Sequence, residues 1–544
     1  MTFTDYEVVD LTNRGLRTVP IVLYAHAEDI KSLTLSCNPM LDIPGDFVQL
    51  CTTLQELRLS NMSIKKVPQS VRNFRTLARL DLSSNRITDL TDIYLHLLPY
   101  LQELRVQNNR MERLPSYFSR LHVLRLLNIS NNKFQDIPAE VCNMSSLEEL
   151  DVSFNMISQL PENMQSWHQL KVLIIIGNRV TRIPNSFRHL SSLTVFDCRR
   201  NEITELGAVG LLPNLEEILA SYNCVQVVDL SSGPRLKKIQ LSHSDITQIS
   251  PTREPISWMP VALTYLNVAS AKLSLLDDLA LGQLTSLEEL ILDRNKLRAI
   301  PESLGDLSLL HSFSCSNNLL DALPSSIGRL QKLELLDVHN NNLTEFPAGL
   351  WSCGSLKRIN MASNLVAHTR LPALLPAFSS SSSVTYMLES ALSSTVTLVP
   401  TLSDRRVSLA GSVTPLRPMP PLVQSLQRLY LSENRLTDSA LPFLMILREL
   451  RVLNLSFNDI QELPRQFFKD LILLEELYLS GNKLAGLPTE DLPRLSRLEV
   501  MYLNGNRLAT LPQELGKVIN LAVLDVGSNG LRYNIGNWEF DWNW

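Results

Sequence analysis

Clustered cysteines, a membrane-length apolar run, an excess of positive charge and glycine-rich phosphate loops are all missing from this chain of 544 residues. Its seven cysteines, Cys37, Cys51, Cys142, Cys198, Cys224, Cys315 and Cys353, are scattered and form no C-x-x-C pair. That excludes a disulfide framework or a thiolate zinc site and predicts a reducing, cytoplasmic setting. Lys and Arg number 50 against 55 Asp and Glu, a net charge of −5 spread evenly, so there is no basic footprint for nucleic acid. No stretch of about 20 uninterrupted apolar residues offers a transmembrane segment. The opening MTFTDYEVVD lacks the basic and apolar regions of a signal peptide. No H-E-x-x-H, G-x-S-x-G or metal-spaced Cys/His cluster occurs, so the residues predict no catalytic site, no cofactor and no metal of their own.

What is present is a repeat. Residues 450–464, LRVLNLSFNDIQELP, read L-x-x-L-x-L-x-x-N-x-I-x-x-L-P. Leu453 and Leu455 alternate with Asn454 and Ser456, the signature of a short strand with one buried face. The asparagine position recurs at Arg14, Asn38, Met62, Asn85, Asn109, Asn132, Asn155, Asn178, Asn201, Asn223, Ser244, Ala271, Asn295, Asn318, Asn341 and Asn364, and again at Asn434, Asn458, Asn482, Asn506 and Asn529. That makes about 21 leucine-rich units, mostly 23 or 24 residues apart. One unit cannot bury its apolar side alone, so the units must stack. The fold class this predicts is α/β: a leucine-rich-repeat solenoid, a horseshoe with a parallel concave sheet and short helical or 3₁₀ segments on the convex side. An asparagine amide both donates and accepts, so it can tie backbone groups of adjacent turns together. Met62, Ser244 and Ala271 cannot do this fully, and proline-rich PTREPISWMP lies between the last two. The coil is therefore expected to be irregular around Ser244–Ala271. Between strands, PQSVRNFRTL (68–77) and PQELGKVINL (512–521) suit one short helical or 3₁₀ turn. Cys198 and Cys315 occupy buried leucine positions and read as core filler.

Four segments follow. Residues 1–365 form an N-terminal repeat block. Residues 366–423, rich in Ser, Thr and Pro, read as a loop insertion, with a degenerate repeat around Thr385–Val399 as the other reading. Residues 424–533 form a second block. Residues 534–544 hold Trp538, Trp542 and Trp544 and read as the start of a following segment that covers the last apolar face. Within the insertion, Arg405-Arg406-Val407-Ser408 is a string that a basophilic kinase accepts, making Ser408 a candidate phosphosite.

Residues between the buried leucines project from the strands and supply the candidate contact surface. They include Arg58, Arg79, Asp81, Arg105 and Asp151, then an apolar row Val172, Ile174 and Ile176, with Asp197 and Arg199 beside it. The apolar row reads either as a partner patch or as added β-propensity. Tyr430, Tyr478 and Tyr502 share one outward position, and tyrosine and arginine are enriched at binding hot spots. Asp81, Asp151, Asp197, Asp337 and Asp525 recur at one strand position and read as a solvated face, as does the pair Asp277–Asp278.

Several strings are more specific than the repeat. LSCNPMLDIPGDFVQLCTTLQEL (35–57), NNNLTEFPAGLW (340–351), ELYLSGNKLAGLPTEDL (476–492) and LGKVINLAVLDVGSNGLRYNIGNWEFDWNW (515–544) resemble the leucine-rich region of fungal, Ras-responsive adenylate cyclases, and the interruption before SLQRLYLSENRLTD sits where those proteins are interrupted. The resemblance implies a region between a Ras-association domain and a phosphatase-like domain. It implies docking of a Ras-type small GTPase in its GTP state, which would bring the protein to the inner face of the plasma membrane. It also implies a separate cyclase domain whose aspartates hold magnesium, so ATP-to-cAMP chemistry is expected outside these residues. No Ras-contact residue transfers by motif. The competing reading is the scaffold repeat region of a phosphatase-attached or phosphatase-regulating protein.

Overall fold

A computed structural model describes residues 7–39, 41–207, 209, 212–229, 235–250, 262–369 and 419–531. The chain divides into two compact units, residues 1–303 and 304–544. Both are built in the same way. In the first, three-residue strands run in parallel from Val8–Asp10 through Glu56–Arg58, Leu126–Asn128 and Val172–Ile174 to Glu289–Ile291. In the second they run from Ser312–Ser314 to Val523–Asp525. Each strand pairs in register with its neighbour one coil away, as in Glu56↔Arg79, Leu57↔Leu80 and Arg58↔Asp81. The middle residue points inward: Leu57, Leu104, Leu150, Leu336, Leu453 and Leu477 are all fully buried. Burying one such leucine contributes about 1.5–3 kcal/mol, and only stacking makes that burial complete.

The return segments are short, as the spacing predicts: 3₁₀ turns at Gln69–Asn73 and Gln513–Lys517, for example, and single α-helical turns at Gly45–Leu50 and Ala139–Cys142. Pro68, Pro138, Pro184, Pro324 and Pro512 each stand immediately before one of them, with φ between −55° and −73°. Proline presets that angle, and its missing N–H is not needed where a helical turn begins.

The asparagines form a ladder. The Asn132 Oδ1 accepts from the Met111 backbone N–H of the preceding coil at 2.9 Å. Its Nδ2 donates to Val106 of that coil at 3.0 Å and to Ile129 and Ser130 of its own coil at 3.1 Å each. The same pattern holds at Asn155, Asn178, Asn341 and Asn482. Cys198 and Cys315 are fully buried, as expected of core filler. Burial pushes the Cys51 thiol up to about 12 and those of Cys142 and Cys353 to about 11, so none is a thiolate near neutrality.

Of the expected irregularity at Ser244–Ala271, residues 251–261 lie outside the described residues; on either side of them it takes a narrow form. The strands Lys238–Gln240 and Tyr265–Asn267 still pair in register, and the Leu241 and His243 N–H groups donate to Asn267 and Ala269. What breaks is the ladder: the Ser244 hydroxyl is buried with no hydrogen-bond partner. An extra parallel pair, Val227–Asp229 with Gln248–Ser250, lies beside it. Strand pairing depends on backbone groups, which a change of side chain leaves in place.

Across the insertion, Arg358–Asn360 pairs directly with Arg428–Tyr430, so the sheet passes from one to the other with no strand between. The Val366 N–H donates to Asn434 Oδ1, His368–Thr369 pairs with Glu345–Phe346, and Leu422 and Val423 are buried in a 3₁₀ turn. The coil therefore takes in both ends of the stretch 366–423. Ser408, Thr385–Val399 and the tryptophans at 538, 542 and 544 lie outside the described residues.

Candidate interaction surface

In the three-residue repeat strands the first and third residues flank the inward one and face away from the core, and the residue two further on continues the outward row. In the first unit this brings Arg58, Arg79, Asp81 and Arg105 together around a hollow of about 420 Å³, shared with Glu56, Leu80 and Glu103. The charges there balance. Glu56 takes Arg58 at 2.6 Å and Arg79 at 3.7 Å, and Glu103 stands 4.0 Å from Arg105. The three guanidiniums are each about half exposed, so these pairs contribute little to stability. They hold a fixed pattern of donors and acceptors.

The recurring aspartates do a local job that sequence reasoning missed. Asp81 Oδ1 accepts from the Ser83 N–H, Asp151 from Ser153, Asp337 from His339 and Asp525 from Gly527. Asn128 and Asn454 make the same bond to Ser130 and Ser456. The side chain thus ends the strand by satisfying the N–H two residues on, the Asx-turn chemistry that Asp and Asn share. Alternation of Asp with Asn at this position was the available signal. Asp277 likewise caps the helical turn Asp278–Gly282 through the Ala280 N–H, and Asp278 accepts from the Ser303 N–H. Among the described residues no group of three His, Cys, Asp or Glu could hold a metal ion, and no helix is long and apolar enough to cross a membrane.

Further along the first unit the face turns apolar. Ile174 sits between Asp151 and Asp197 in the third-residue row, with Leu219 beyond Asp197, while Val172 and Val195 adjoin in the first-residue row. Of these six residues five are half-buried, and Asp197 is buried. Arg199 closes on it, with Nε 2.9 Å from Oδ1 and Nη2 2.6 Å from Oδ2, and this pairing raises the Arg199 pKa. Ile176 is half-buried in the outward row next to Arg199. Glu149, two coils earlier, is raised by burial, with Arg105 opposing the shift.

A second feature escaped the pattern altogether. The residue before each ladder asparagine takes a left-handed backbone, as at Asn131, Phe154, Arg200 and Tyr222, and so does His243 before Ser244. This lines one side chain per coil along the edge of the sheet. The Arg200 guanidinium lies 5.3 Å over the Tyr222 ring, which stacks on His243 at 4.3 Å and 11°.

In the second unit the tyrosines do not form one continuous row. Tyr478 and Tyr502 stack at 5.3 Å and 8°, but Asn454 separates Tyr430 from Tyr478, and Tyr430 instead carries Arg358 at 5.2 Å. The Tyr478 hydroxyl donates to Glu476 at 2.7 Å.

Stacked parallel strands, 3₁₀ returns and an asparagine ladder define a leucine-rich-repeat protein. The leucine rich repeat family model matches residues 75–134, 99–157 and 448–508. YopM of Yersinia enterocolitica superposes with a TM-score of 0.58 over 97% of this chain and 88% of its own, at 24% identity. A leucine-rich-repeat protein of Leptospira interrogans does so with a TM-score of 0.53 over 66% of this chain and 91% of its own, at 26% identity. More particularly, the chain belongs with the leucine-rich-repeat regions of fungal adenylate cyclases. It is 54% identical to the adenylate cyclase of Mycosarcoma maydis over 99% of its own length, and 42% identical to that of Neurospora crassa over 73 residues, 13% of its length. It spans 22% of the first protein and 3% of the second.

Proposed function

We propose that this solenoid docks a Ras-type small GTPase in its GTP state and thereby regulates cAMP production by a cyclase domain outside these residues. The observation that carries the reading is the likeness to the Mycosarcoma maydis adenylate cyclase over 99% of the chain. The outward rows of both units support it, because they offer a broad surface of fixed charges, apolar side chains and stacked rings rather than a pocket for a small substrate. GTP orders the switch loops of Ras, so a surface complementary to the ordered form selects the active state. On this reading the chain itself makes no cAMP, magnesium serves the cyclase domain, and the protein works in the cytoplasm at the inner face of the plasma membrane, where Ras holds it. The test is a pull-down with Ras loaded with a GTP analogue or with GDP. Retention of the GTP-analogue form alone is expected, and equal or absent binding overturns the reading.

A further inference from the structure

Arg199 and Arg200 are consecutive yet differently disposed. Arg199 is held by three contacts to Asp197 and is spent on that carboxylate. Arg200, at φ +58°, turns to the sheet edge, is exposed, and has no carboxylate within ion-pair distance among the described residues. Its plane is instead set by Tyr222, which rests on His243. Three nearby lysines are matched within the protein: Lys171 with Glu148 at 2.7 Å, Lys237 with Glu216 at 2.8 Å, Lys238 with Glu217 at 3.5 Å. Arg200 is thus an oriented, unneutralised guanidinium beside an apolar patch on the same coils. A guanidinium whose rotamers are already restricted loses little entropy when a carboxylate takes its free N–H groups in a bidentate pair.

We propose that Ile174, Ile176 and Leu219, with Arg200 and Tyr222 at their edge, form the docking surface for a protein partner that presents an apolar side chain flanked by a carboxylate. The apolar group covers the isoleucines and Leu219 around the internally neutralised Asp197–Arg199 pair, and the carboxylate meets Arg200. This arrangement has the make-up of a hot spot, a desolvated apolar centre with Tyr and Arg beside it. Glu149 and Asp151 on the adjoining coil repel a phosphate backbone and favour a protein over a nucleic acid. The proposal rests on the docking reading above and locates it within the first unit.

The test measures binding of the full chain to a Ras-type GTPase loaded with a GTP analogue, comparing wild type, Arg200→Glu, Ile176→Glu, Arg200→Lys and the distant control Lys517→Glu. Arg200→Glu and Ile176→Glu are each expected to weaken binding at least about tenfold, Arg200→Lys by about threefold, and Lys517→Glu by less than about twofold. Unchanged melting profiles establish that the variants fold, and the exposed Arg200 position serves where Ile176→Glu does not. Wild-type affinity in both the Arg200→Glu and Ile176→Glu proteins overturns the assignment of this surface alone. Absence of wild-type binding overturns the docking reading together with it.

Discussion

Phe154 lies against Gly177 so closely that a Cβ added to the glycine would stand 2.6 Å from the ring Cδ1. The two belong to adjacent coils and share the left-handed edge position, Gly177 at φ +65°. Non-glycine residues occupy that position elsewhere, at a backbone cost of about 1 kcal/mol. At Gly177 the ring must move as well. Gly177→Ala is therefore expected to destabilise the protein by about 2 kcal/mol, of which the part due to the ring disappears in the Phe154→Ala background. Denaturant unfolding of the two single variants and the double variant measures the coupling; additive effects would contradict it.

The ladder makes an asymmetric forecast. Asn132→Ala leaves the Met111 N–H without its acceptor and takes one of two amide donors from the Val106 and Ile129 carbonyls, which keep Asn109 and Asn155. One unmet buried N–H costs about 1–3 kcal/mol, so a loss in that range is expected, with faster amide exchange at Met111. Ser244→Asn should act the other way. It places an amide where a buried hydroxyl lacks a partner and adds about 1 kcal/mol. A destabilised Ser244→Asn protein would show that this coil differs in backbone as well as side chain.

Tyr478 should titrate late. Burial, followed by its hydrogen bond to Glu476, pushes it up from 10.0 to about 12. The folded protein then holds this proton more tightly than the unfolded chain. The stability gained is fully present below pH 10.0 and is lost as the pH rises toward about 12. Ultraviolet difference titration should show late-ionising phenols, since burial also pushes Tyr117 up, and Glu476→Gln should bring the Tyr478 component alone down.

Asp277→Ala removes the cap on the Ala280 N–H and is expected to cost about 1 kcal/mol, while Asp277→Asn costs a fraction of that. Chemical denaturation of both variants distinguishes a cap from a merely solvated carboxylate.

The repeat could be read directly because most coils restate it: a leucine at most inward positions and an asparagine at most ties. The 3₁₀ returns were equally legible, since a proline before an apolar i, i+3 pattern has few alternatives. The strand aspartates were misjudged as simple solvent coverage because a carboxylate that caps an N–H two residues away has the same composition as one that does not. The Arg200–Tyr222–His243 stack was invisible for another reason. Those residues lie about 21 apart in sequence and become neighbours only through the coil pitch. The outward tyrosines do share one strand position, but spacing alone did not show that Asn454 stands between Tyr430 and Tyr478 while Tyr478 and Tyr502 stack.

Every amide of the ladder reaches backward, so unravelling has a direction. Detaching the coil of Asn529 strands the Leu508 N–H on the stack that remains and takes one of two amide donors from the Leu503 carbonyl, which keeps Asn506. Pulling from the low-numbered side instead carries those groups away and leaves the Asn529 Nδ2 still engaged with Val526 and Gly527 of its own coil. Such a ratchet frays more readily from one side than from the other, and a tug applied to either terminus would meet unequal resistance.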